Sequence, residues 1–427
     1  KRIFLSSDNW KTYLMMTELR DLPQKISELD ICIANKKSGH LLFEKGSYHY
    51  AYDSADSLPV SVTMQPQNQR LYNNGRLFPI FEMNIPEGYV RHRIAERLLR
   101  YVGKVSDMLF LALQQDTGIG ALSYQSGFTL PKPTSEKLED LLKWNEKGSA
   151  FEYLLDKYLL NTSVSGVQPK VMLNADGKGS VLFPNLIAKT GDMEYPHLPE
   201  NEYLCMSMAK ACGIAVPEFY LSDNKELFIM ERFDLAGDQR LGMEDFCVLA
   251  GKQSEQKYIG SYEMGAKIVS LYTQDQSEVE RYFRYVAFSC LVGNGDAHLK
   301  NFALLYSANH HAPALKLSPM YDVVNTTCYP THDKELALKL NKSHAFPDHD
   351  GLLRFGRDLK VIKPAVILEQ MADTISDHLN QPYLWADLSF LKDAISASLS
   401  RACARKPLFV TMDVKRDKKR KSDKLLK

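Results

Sequence analysis

The stretch Gly293-Asn-Gly-Asp-Ala-His-Leu-Lys-Asn-Phe-Ala-Leu304 decides the fold class of this chain. It follows a segment, 279–292, in which apolar residues recur at helical spacing, and it precedes a short apolar run typical of a strand. Asp296 and Asn301 are therefore expected on a connecting loop. Their Asp-x4-Asn spacing matches loops that catalyse phosphoryl transfer, where the carboxylate accepts the proton of the attacking hydroxyl and the amide oxygen helps to hold Mg²⁺. The sequence thus predicts a phosphotransferase with Asp296 as catalytic base.

A second acidic residue follows this loop in the order that the chemistry needs. Asp322 lies in Ser318-Pro-Met-Tyr-Asp-Val-Val324, directly after the strand-like run Ala314-Leu-Lys-Leu317. In phosphotransferases a carboxylate at this point chelates Mg²⁺ against the β- and γ-phosphates of ATP. A lone aspartate is more often a surface residue or a helix cap, so the prediction depends on the order and spacing of the whole set.

A lysine and a glutamate upstream complete the expected nucleotide site. Lys189 ends an apolar, strand-like run, and a lysine that emerges from a buried strand suits the α- and β-phosphates. A helix is predicted over Glu202–Cys212, with Asn201 as its N-cap. Glu202 is the expected ion-pair partner of Lys189, and the nearby Glu200 is the alternative.

Two further segments are candidates for contacts with the nucleotide. The segment Asn161-Thr-Ser-Val-Ser-Gly-Val-Gln-Pro-Lys-Val171 offers hydroxyls, a glycine, a lysine and backbone N–H groups that suit phosphate oxygens. The run Met230-Glu-Arg-Phe-Asp234 joins the two expected lobes, so its backbone is placed to bind adenine while Phe233 packs on the ring. Taken alone, the first segment is an ordinary polar turn and the second is equally the end of a buried strand.

The pattern along the chain predicts an α+β, protein-kinase-like fold of two lobes preceded by a β-rich unit. Short apolar runs alternate with turns over 29–66, and an amphipathic helix is expected over Pro86–Tyr101, with Leu99 among its apolar residues. Helical periodicity dominates after about residue 242. The expected parts are an N-terminal subdomain at 1–128, a small lobe at 129–233, a helical lobe at 234–413 and a basic tail at 414–427.

Composition limits the class of protein but not its partner. Lys and Arg total 53 against 52 Asp and Glu, and the sequence holds no apolar run long enough for a membrane helix, so no membrane partner is expected. The seven cysteines are scattered and form no CxxC pair, which is typical of reduced thiols in a cytoplasmic protein. The last fourteen residues hold eight Lys or Arg and two Asp.

Taken in order, these segments resemble the HipA family, bacterial toxin kinases that are encoded with a DNA-binding antitoxin. The resemblance also extends to two motifs near the start of the chain, and it covers nearly everything except the tail. The matching motifs are Phe81-Glu-Met-Asn-Ile-Pro-Glu-Gly88, Gly118-Ile-Gly-Ala121, Ser163-Val-Ser-Gly-Val-Gln-Pro-Lys170, Ala188-Lys-Thr190, Asn201-Glu-Tyr-Leu-Cys205, Met230-Glu-Arg-Phe-Asp234, Asn294-Gly-Asp-Ala-His-Leu-Lys-Asn301 and Met320-Tyr-Asp-Val323.

The resemblance implies a serine/threonine protein kinase that uses ATP and Mg²⁺. Asp296 would be the catalytic base, Asn301 and Asp322 would bind Mg²⁺, and Ser163 would be the autophosphorylated serine, with Ser165 as its rival. Phosphorylation there would eject the phosphate-binding loop and silence the enzyme. The residues implied at the nucleotide are Ser165, Gly166, Val167, Gln168, Pro169, Lys170, Lys189, Glu202, Glu231, Arg232, Phe233, His298, Leu299, Lys300, Asn301, Tyr321 and Asp322. The chain departs from many relatives in carrying Thr-Gly-Asp after Lys189 in place of a Leu-Pro pair.

The resemblance also implies partners. Family kinases modify protein substrates such as aminoacyl-tRNA synthetases and arrest growth. They join a HipB-like helix-turn-helix antitoxin on operator DNA and repress their own expression. The basic stretch Lys415–Lys427 lies outside the resemblance, and it is either a solvated end or a contact with the DNA backbone.

Two other functions fit part of the pattern. A small-molecule phosphotransferase of the aminoglycoside or choline kinase type also uses Gly-Asp-x4-Asn followed by a metal-binding aspartate, normally with an acidic groove for its cationic substrate. A nucleotide-binding co-repressor without catalysis is the other. The intact set of Asp296, Asn301, Asp322 and Lys189 argues against a catalytically dead site.

Overall fold

The first unit is a five-stranded antiparallel sheet with helices packed beside it. The computed structural model describes residues 22–161, 168–176, 183–191, 193–330 and 334–405. Strand order in the sheet is β4-β3-β2-β1-β5, so the last strand returns to pair with the first. The elements of this unit are β1 Glu28–Ile33, β2 Lys36–Glu44, β3 Ser47–Tyr52, β4 Leu71–Asn74, α1 Pro79–Glu82, α2 Gly88–Leu98, α3 Asp107–Gln114 and β5 Leu122–Gln125.

A second, four-stranded antiparallel sheet forms the small lobe. Its strand order is β6-β7-β9-β8, and β8 and β9 form a hairpin around the polar run Ser222–Glu226. The Pro-containing segment 130–135 has no regular structure. The elements are α4 Leu138–Leu142, α5 Ala150–Tyr158, β6 Lys170–Leu173, β7 Leu186–Lys189, α6 Leu198–Ala211, β8 Phe219–Leu221 and β9 Phe228–Glu231.

Both faces of the small-lobe sheet are buried, each against a different part of the molecule. One face, with Met172, Ile187, Phe228 and Met230, belongs to the same core as α6 and the helical lobe. The opposite face belongs to the core of the N-terminal unit; its residues are Val171, Leu173, Leu186, Ala188, Leu227 and Ile229. Alternating side chains point to opposite faces of a sheet, so every residue of β6 and β7 is buried. The N-terminal unit and the small lobe therefore share one continuous core.

The remaining chain forms the helical lobe. A small sheet, β12-β13-β14, crosses it next to the long helix α9, which packs against α8 and α12. Asp275 caps the start of α9 by accepting from the Ser277 N–H at 2.8 Å. The elements are β10 Leu235–Ala236, β11 Gln239–Arg240, β12 Gly242–Asp245, α7 Phe246–Leu249, α8 Tyr262–Thr273, α9 Gln276–Val292, β13 Ala303–Tyr306, β14 Lys316–Leu317, α10 His349–Asp358, α11 Pro364–Leu379 and α12 Ser389–Cys403.

Two helix predictions are wrong in detail. Helix α6 begins at Leu198 and not at Glu202, so Asn201 lies inside the helix and is not its N-cap. Its side chain bonds instead to the backbone of Asn325 across the cleft, which no local pattern could indicate. Helix α2 is shorter than predicted, and Leu99 just beyond it is exposed.

All seven cysteines are free thiols. In the part of the chain that the structure describes, no helix combines the length and the apolar character needed to cross a bilayer.

Candidate active site

The predicted catalytic loop begins where α9 ends. Gly293 adopts the left-handed conformation that terminates the helix, with φ of 77°, and a Cβ there would meet the Ser398 Oγ at 2.4 Å. The turn that follows is fixed by side chains: Asn294 Oδ1 accepts from the Asp296 N–H at 3.0 Å, and Thr326 Oγ1 accepts from the Gly295 N–H at 2.9 Å. The loop therefore holds Asp296 at the cleft between the lobes, where it lines the main cavity.

Asp296 has a neighbour that the sequence did not reveal. The Tyr258 hydroxyl donates to Asp296 Oδ1 at 2.9 Å, and the Tyr258 ring packs edge-on against His298 at 5.2 Å. Tyr258 lies in the segment between α7 and α8 and belongs to no recognised phosphotransfer motif. Only a contact in three dimensions identifies it.

Asp322 lies at the centre of the predicted site. Its backbone is left-handed, with φ of 59°, a conformation that Asp tolerates better than most residues and that is concentrated at functional sites. Its Oδ1 accepts from Lys189 at 2.8 Å and its Oδ2 accepts from Asn301 Nδ2 at 3.0 Å. Burial would raise the pKa of Asp322, but the charges of Lys189 and Lys170 outweigh it and hold that pKa far below its usual range. The carboxylate is therefore ionised.

Lys189 and Glu202 form the ion pair that was predicted. Lys189 Nζ lies 2.5 Å from Glu202 Oε1, and both side chains are buried. Burial disfavours the charged lysine, but Asp322 and Glu202 outweigh it and raise its pKa. The alternative partner, Glu200, lies two residues earlier on the helix and binds His197 and Lys225 instead.

The segment that joins the lobes lies at one wall of the cavity. The rings of Phe233 and Tyr321 lie 5.1 Å apart, and both line the cavity. Arg232 also lines the cavity. Its backbone N–H, one of the groups predicted to bind adenine, donates to the Asn185 carbonyl at 2.9 Å in this structure. Glu231 does not line the cavity, and its carboxylate accepts from the Tyr220 hydroxyl at 3.0 Å.

Arg232 has a second set of contacts that the sequence did not predict. Its buried guanidinium donates to Asp234 and to the carbonyls of Thr117 and Gly118 in the N-terminal unit. Asp234 in turn accepts from the Gly120 N–H at 2.8 Å. The joining segment is thus attached to the Gly-Ile-Gly-Ala motif of the first unit.

The rest of the catalytic loop divides between the cavity and the core. His298 and Lys300 line the cavity, whereas the prediction that Leu299 contacts nucleotide is wrong for its side chain, which is fully buried in the helical-lobe core. Burial and the nearby charge of Lys257 lower the pKa of His298 to about 3, so this imidazole is neutral at neutral pH.

The predicted phosphate-binding loop is described only at its end. Ser163, Ser165, Gly166 and Val167 lie outside the described residues, as does the tail beyond residue 405. The following residues, Gln168, Pro169 and Lys170, line the cavity. Lys170 pairs directly with Lys189 across β6 and β7.

Comparisons with known proteins agree with this arrangement. A model of the HipA N-terminal domain matches residues 29–125, and a model of the HipA-like C-terminal domain matches residues 162–380, just over half of the chain. A Sinorhizobium fredii protein with the provisional name kinase Y4dM is 25% identical over 73% of this chain and 78% of its own length.

Two comparisons involve Shewanella oneidensis. Its serine/threonine-protein kinase toxin HipA is 27% identical to this chain, over a match that covers 42% of this chain and 46% of that protein. A chain in the solved complex of HipA, HipB and operator DNA superimposes with a TM-score of 0.65 and 20% identity, over 88% of this chain and 96% of that one. The structural likeness confirms the two-lobed, kinase-like α+β fold. Because the model of the HipA-like C-terminal domain matches just over half of the sequence, this chain belongs to the HipA family of kinases.

Proposed function

We propose that this chain is an ATP-dependent serine/threonine protein kinase that acts as a growth-arresting toxin. The observation that carries the proposal is that Asp296, Asp322 and Lys189 line one cavity between the lobes, with Asn301 bonded to Asp322. Asp296 would orient the attacking hydroxyl and accept its proton, while Lys189, held by Glu202, would neutralise phosphate charge. The proposed adenine site is the wall formed by Phe233 and Tyr321.

The residues at Asp322 fit a magnesium ion. Mg²⁺ prefers oxygen donors such as an ionised carboxylate and an amide oxygen. Asp322 has the carboxylate and Asn301 has the amide. In this structure Asn301 donates its Nδ2 to Asp322 and accepts from the His298 N–H with its Oδ1, so the amide must turn to present oxygen to a metal. When bound, Mg²⁺ would neutralise the negative charge of the phosphates.

The proposed regulation and partners follow family membership. We propose that the kinase phosphorylates itself on Ser163, with Ser165 as the alternative acceptor, because about two added negative charges in a phosphate-binding loop would repel ATP. Its proposed external substrate is a protein, with aminoacyl-tRNA synthetases as the class to test first. A HipB-like antitoxin and operator DNA are the proposed partners, and the related Shewanella oneidensis complex supports them.

Incubation with Mg-ATP tests this function directly. Freshly prepared, unphosphorylated protein is expected to incorporate phosphate, which mass spectrometry should place on Ser163 or Ser165. Asp322→Ala is expected to abolish incorporation because it removes the proposed metal-binding carboxylate. In a second experiment, expression in cells without antitoxin should be toxic for the wild type and tolerated for Asp322→Ala. Absence of phosphate from the wild type, or equal toxicity of both forms, would contradict the proposal.

Tyr258→Phe tests the unexpected neighbour of the base. The substitution removes one hydroxyl that donates to Asp296, and a hydrogen bond to a charged group contributes about 1.5 kcal/mol, so kcat is expected to fall about tenfold. The KM for ATP should change little because the hydroxyl that is removed bonds to the proposed base, Asp296. Tyr383→Phe removes an exposed hydroxyl that bonds only locally to Gln381 and serves as the matched control. Wild-type kcat in the Tyr258 variant would show that this contact is dispensable.

A further inference from the structure

The motif Phe81–Gly88 belongs to the N-terminal unit and also reaches the proposed active site. Its apolar residues Phe81, Met83 and Ile85 are buried and fix the segment in the N-terminal unit. Met83 also lines the active-site cavity. The motif is therefore anchored on one side and in contact with the cleft on the other.

Glu87 makes the decisive contact. Its carboxylate Oε1 accepts a hydrogen bond from Nζ of Lys300 in the catalytic loop, and its Oε2 lies 3.9 Å from Nζ of Lys257. Lys300 Nζ also donates to Ser254 Oγ at 3.1 Å. Lys257 and Lys300 both line the cavity. One carboxylate thus bridges two cationic side chains at the place where phosphates would be bound.

The backbone around Glu87 shows that this side chain does not serve its own helix. Glu87 occupies the N-cap position of α2, where a side-chain oxygen normally accepts from the first turn, yet it makes no such bond. Neighbouring contacts hold the N-terminal unit against the helical lobe. Glu82 accepts from the Ser254 N–H at 2.9 Å, and Arg76 pairs with Glu255 at 3.1 Å. The Glu87 carboxylate is directed instead at Lys300, Lys257 and Ser254.

We propose that Glu87 is a positioning residue that holds Lys300 in place for phosphoryl transfer, so that the N-terminal unit contributes to the active site. The inference rests on the proposed kinase function. Lys300 lies next to Asn301 and four residues after the catalytic base, where negative charge on the transferred phosphoryl group must be stabilised. A lysine on a flexible stem is effective there only if its position is fixed before the reaction.

The charges around Lys300 support this role. The groups around its side chain are Glu82 and Glu87 from the N-terminal unit, Asp245 at the end of β12, Cys247 in α7, Ser254 and Lys257 in the following segment, and His298 in the catalytic loop. The Tyr321 hydroxyl donates to the Lys300 carbonyl. Carboxylates from two parts of the molecule therefore face the Lys300 ammonium, and the one that bonds to it is Glu87.

Glu87→Gln tests the proposal because it removes the charge and keeps the shape. We expect kcat for phosphoryl transfer to fall about 10- to 100-fold, as is typical when a supporting residue behind a functional group is lost, with little change in the KM for ATP. Glu255→Gln, which breaks only the exposed ion pair with Arg76, is the matched control and should behave as wild type.

A double variant checks that Glu87 acts through Lys300. Lys300→Met alone should lower kcat, and adding Glu87→Gln to it should cause no further loss, because the two residues then act as one unit. An additional loss in the double variant as large as that of Glu87→Gln alone would show that Glu87 acts independently of Lys300, and it would overturn the inference.

The outcomes separate this inference from the proposed function. If the wild type transfers no phosphate, the kinase proposal itself fails. If the wild type is active and Glu87→Gln keeps its kcat, the kinase proposal stands and the positioning role of Glu87 is refuted.

Discussion

Asp296→Ala is expected to lower the rate of phosphoryl transfer by about 10²- to 10⁴-fold while leaving the binding of Mg-ATP nearly unchanged, because a positioned general base contributes on that scale. The structure supports this separation of effects. Asp296 contacts Tyr258 in the loop region, whereas Lys189 and Asp322, the groups proposed for phosphate and metal, bond to each other. Loss of Asp296 therefore leaves the proposed nucleotide contacts in place.

A second variant distinguishes loss of the carboxylate's basicity from loss of the side chain's size and contacts. Asp296→Asn retains an oxygen that can accept from the Tyr258 hydroxyl, but it cannot take a proton, so its kcat should be as low as that of the alanine variant. Single-turnover phosphate transfer and equilibrium binding of a fluorescent ATP analogue are the two measurements. Asp56→Asn, at an exposed position of the N-terminal unit, is the control. Undiminished turnover in either Asp296 variant would remove this residue from the role of base.

Arg232→Met is expected to reduce the free energy of unfolding by about 3–5 kcal/mol, because it leaves the buried Asp234 carboxylate without its main partner. Arg232 and Asp234 are almost completely buried, and the guanidinium bonds to three backbone carbonyls as well, Pro184 among them. Burial would raise the pKa of Asp234, but Arg232 outweighs it and lowers that pKa, so the carboxylate is charged in the native protein and loses its main counter-charge in the variant.

Urea denaturation of the full chain measures this change. Arg405→Met, which removes an arginine from an exposed ion pair with Glu369, is the matched control and should change stability by less than about 1 kcal/mol. The double variant Arg232→Met, Asp234→Leu should recover part of the loss, since the unpaired charge is then gone. Equal destabilisation by the two arginine substitutions would show that the buried pair has no special importance.

The parts of the site that sequence could predict are those in which chemistry depends on local spacing. Asp296, Asn301 and Asp322 fall on one loop and one turn whose order along the chain is specific to phosphotransfer, and the structure brings Asn301 and Asp322 into hydrogen-bond contact. Lys189 could be predicted because a lysine that emerges from a buried strand suits the phosphates and because it precedes Glu202 and Asp296 in the expected order. The same reasoning favoured Glu202 but left Glu200 as an alternative, because the choice depends on which face of α6 is turned toward the strand.

The parts that sequence could not predict depend on contacts between distant residues. Glu87 meets Lys300, 213 positions later, and Asn201 meets Asn325, 124 positions later, so neither pairing leaves a periodic signal. The start of α6 was misplaced for the same reason: Asn201 is a common N-cap residue, but here tertiary contacts use its side chain. Leu299 was misassigned because every residue of a catalytic motif was treated as facing the nucleotide, whereas this side chain anchors the loop in the core.

The small-lobe sheet with two buried faces means that this lobe is not a separable module. Without residues 22–128, the core that contains Val171, Leu186 and Ile229 would lose the buried apolar residues that the first unit contributes to it. Because a close-packed core moves as one body, the small lobe and the N-terminal unit are expected to keep their relative positions.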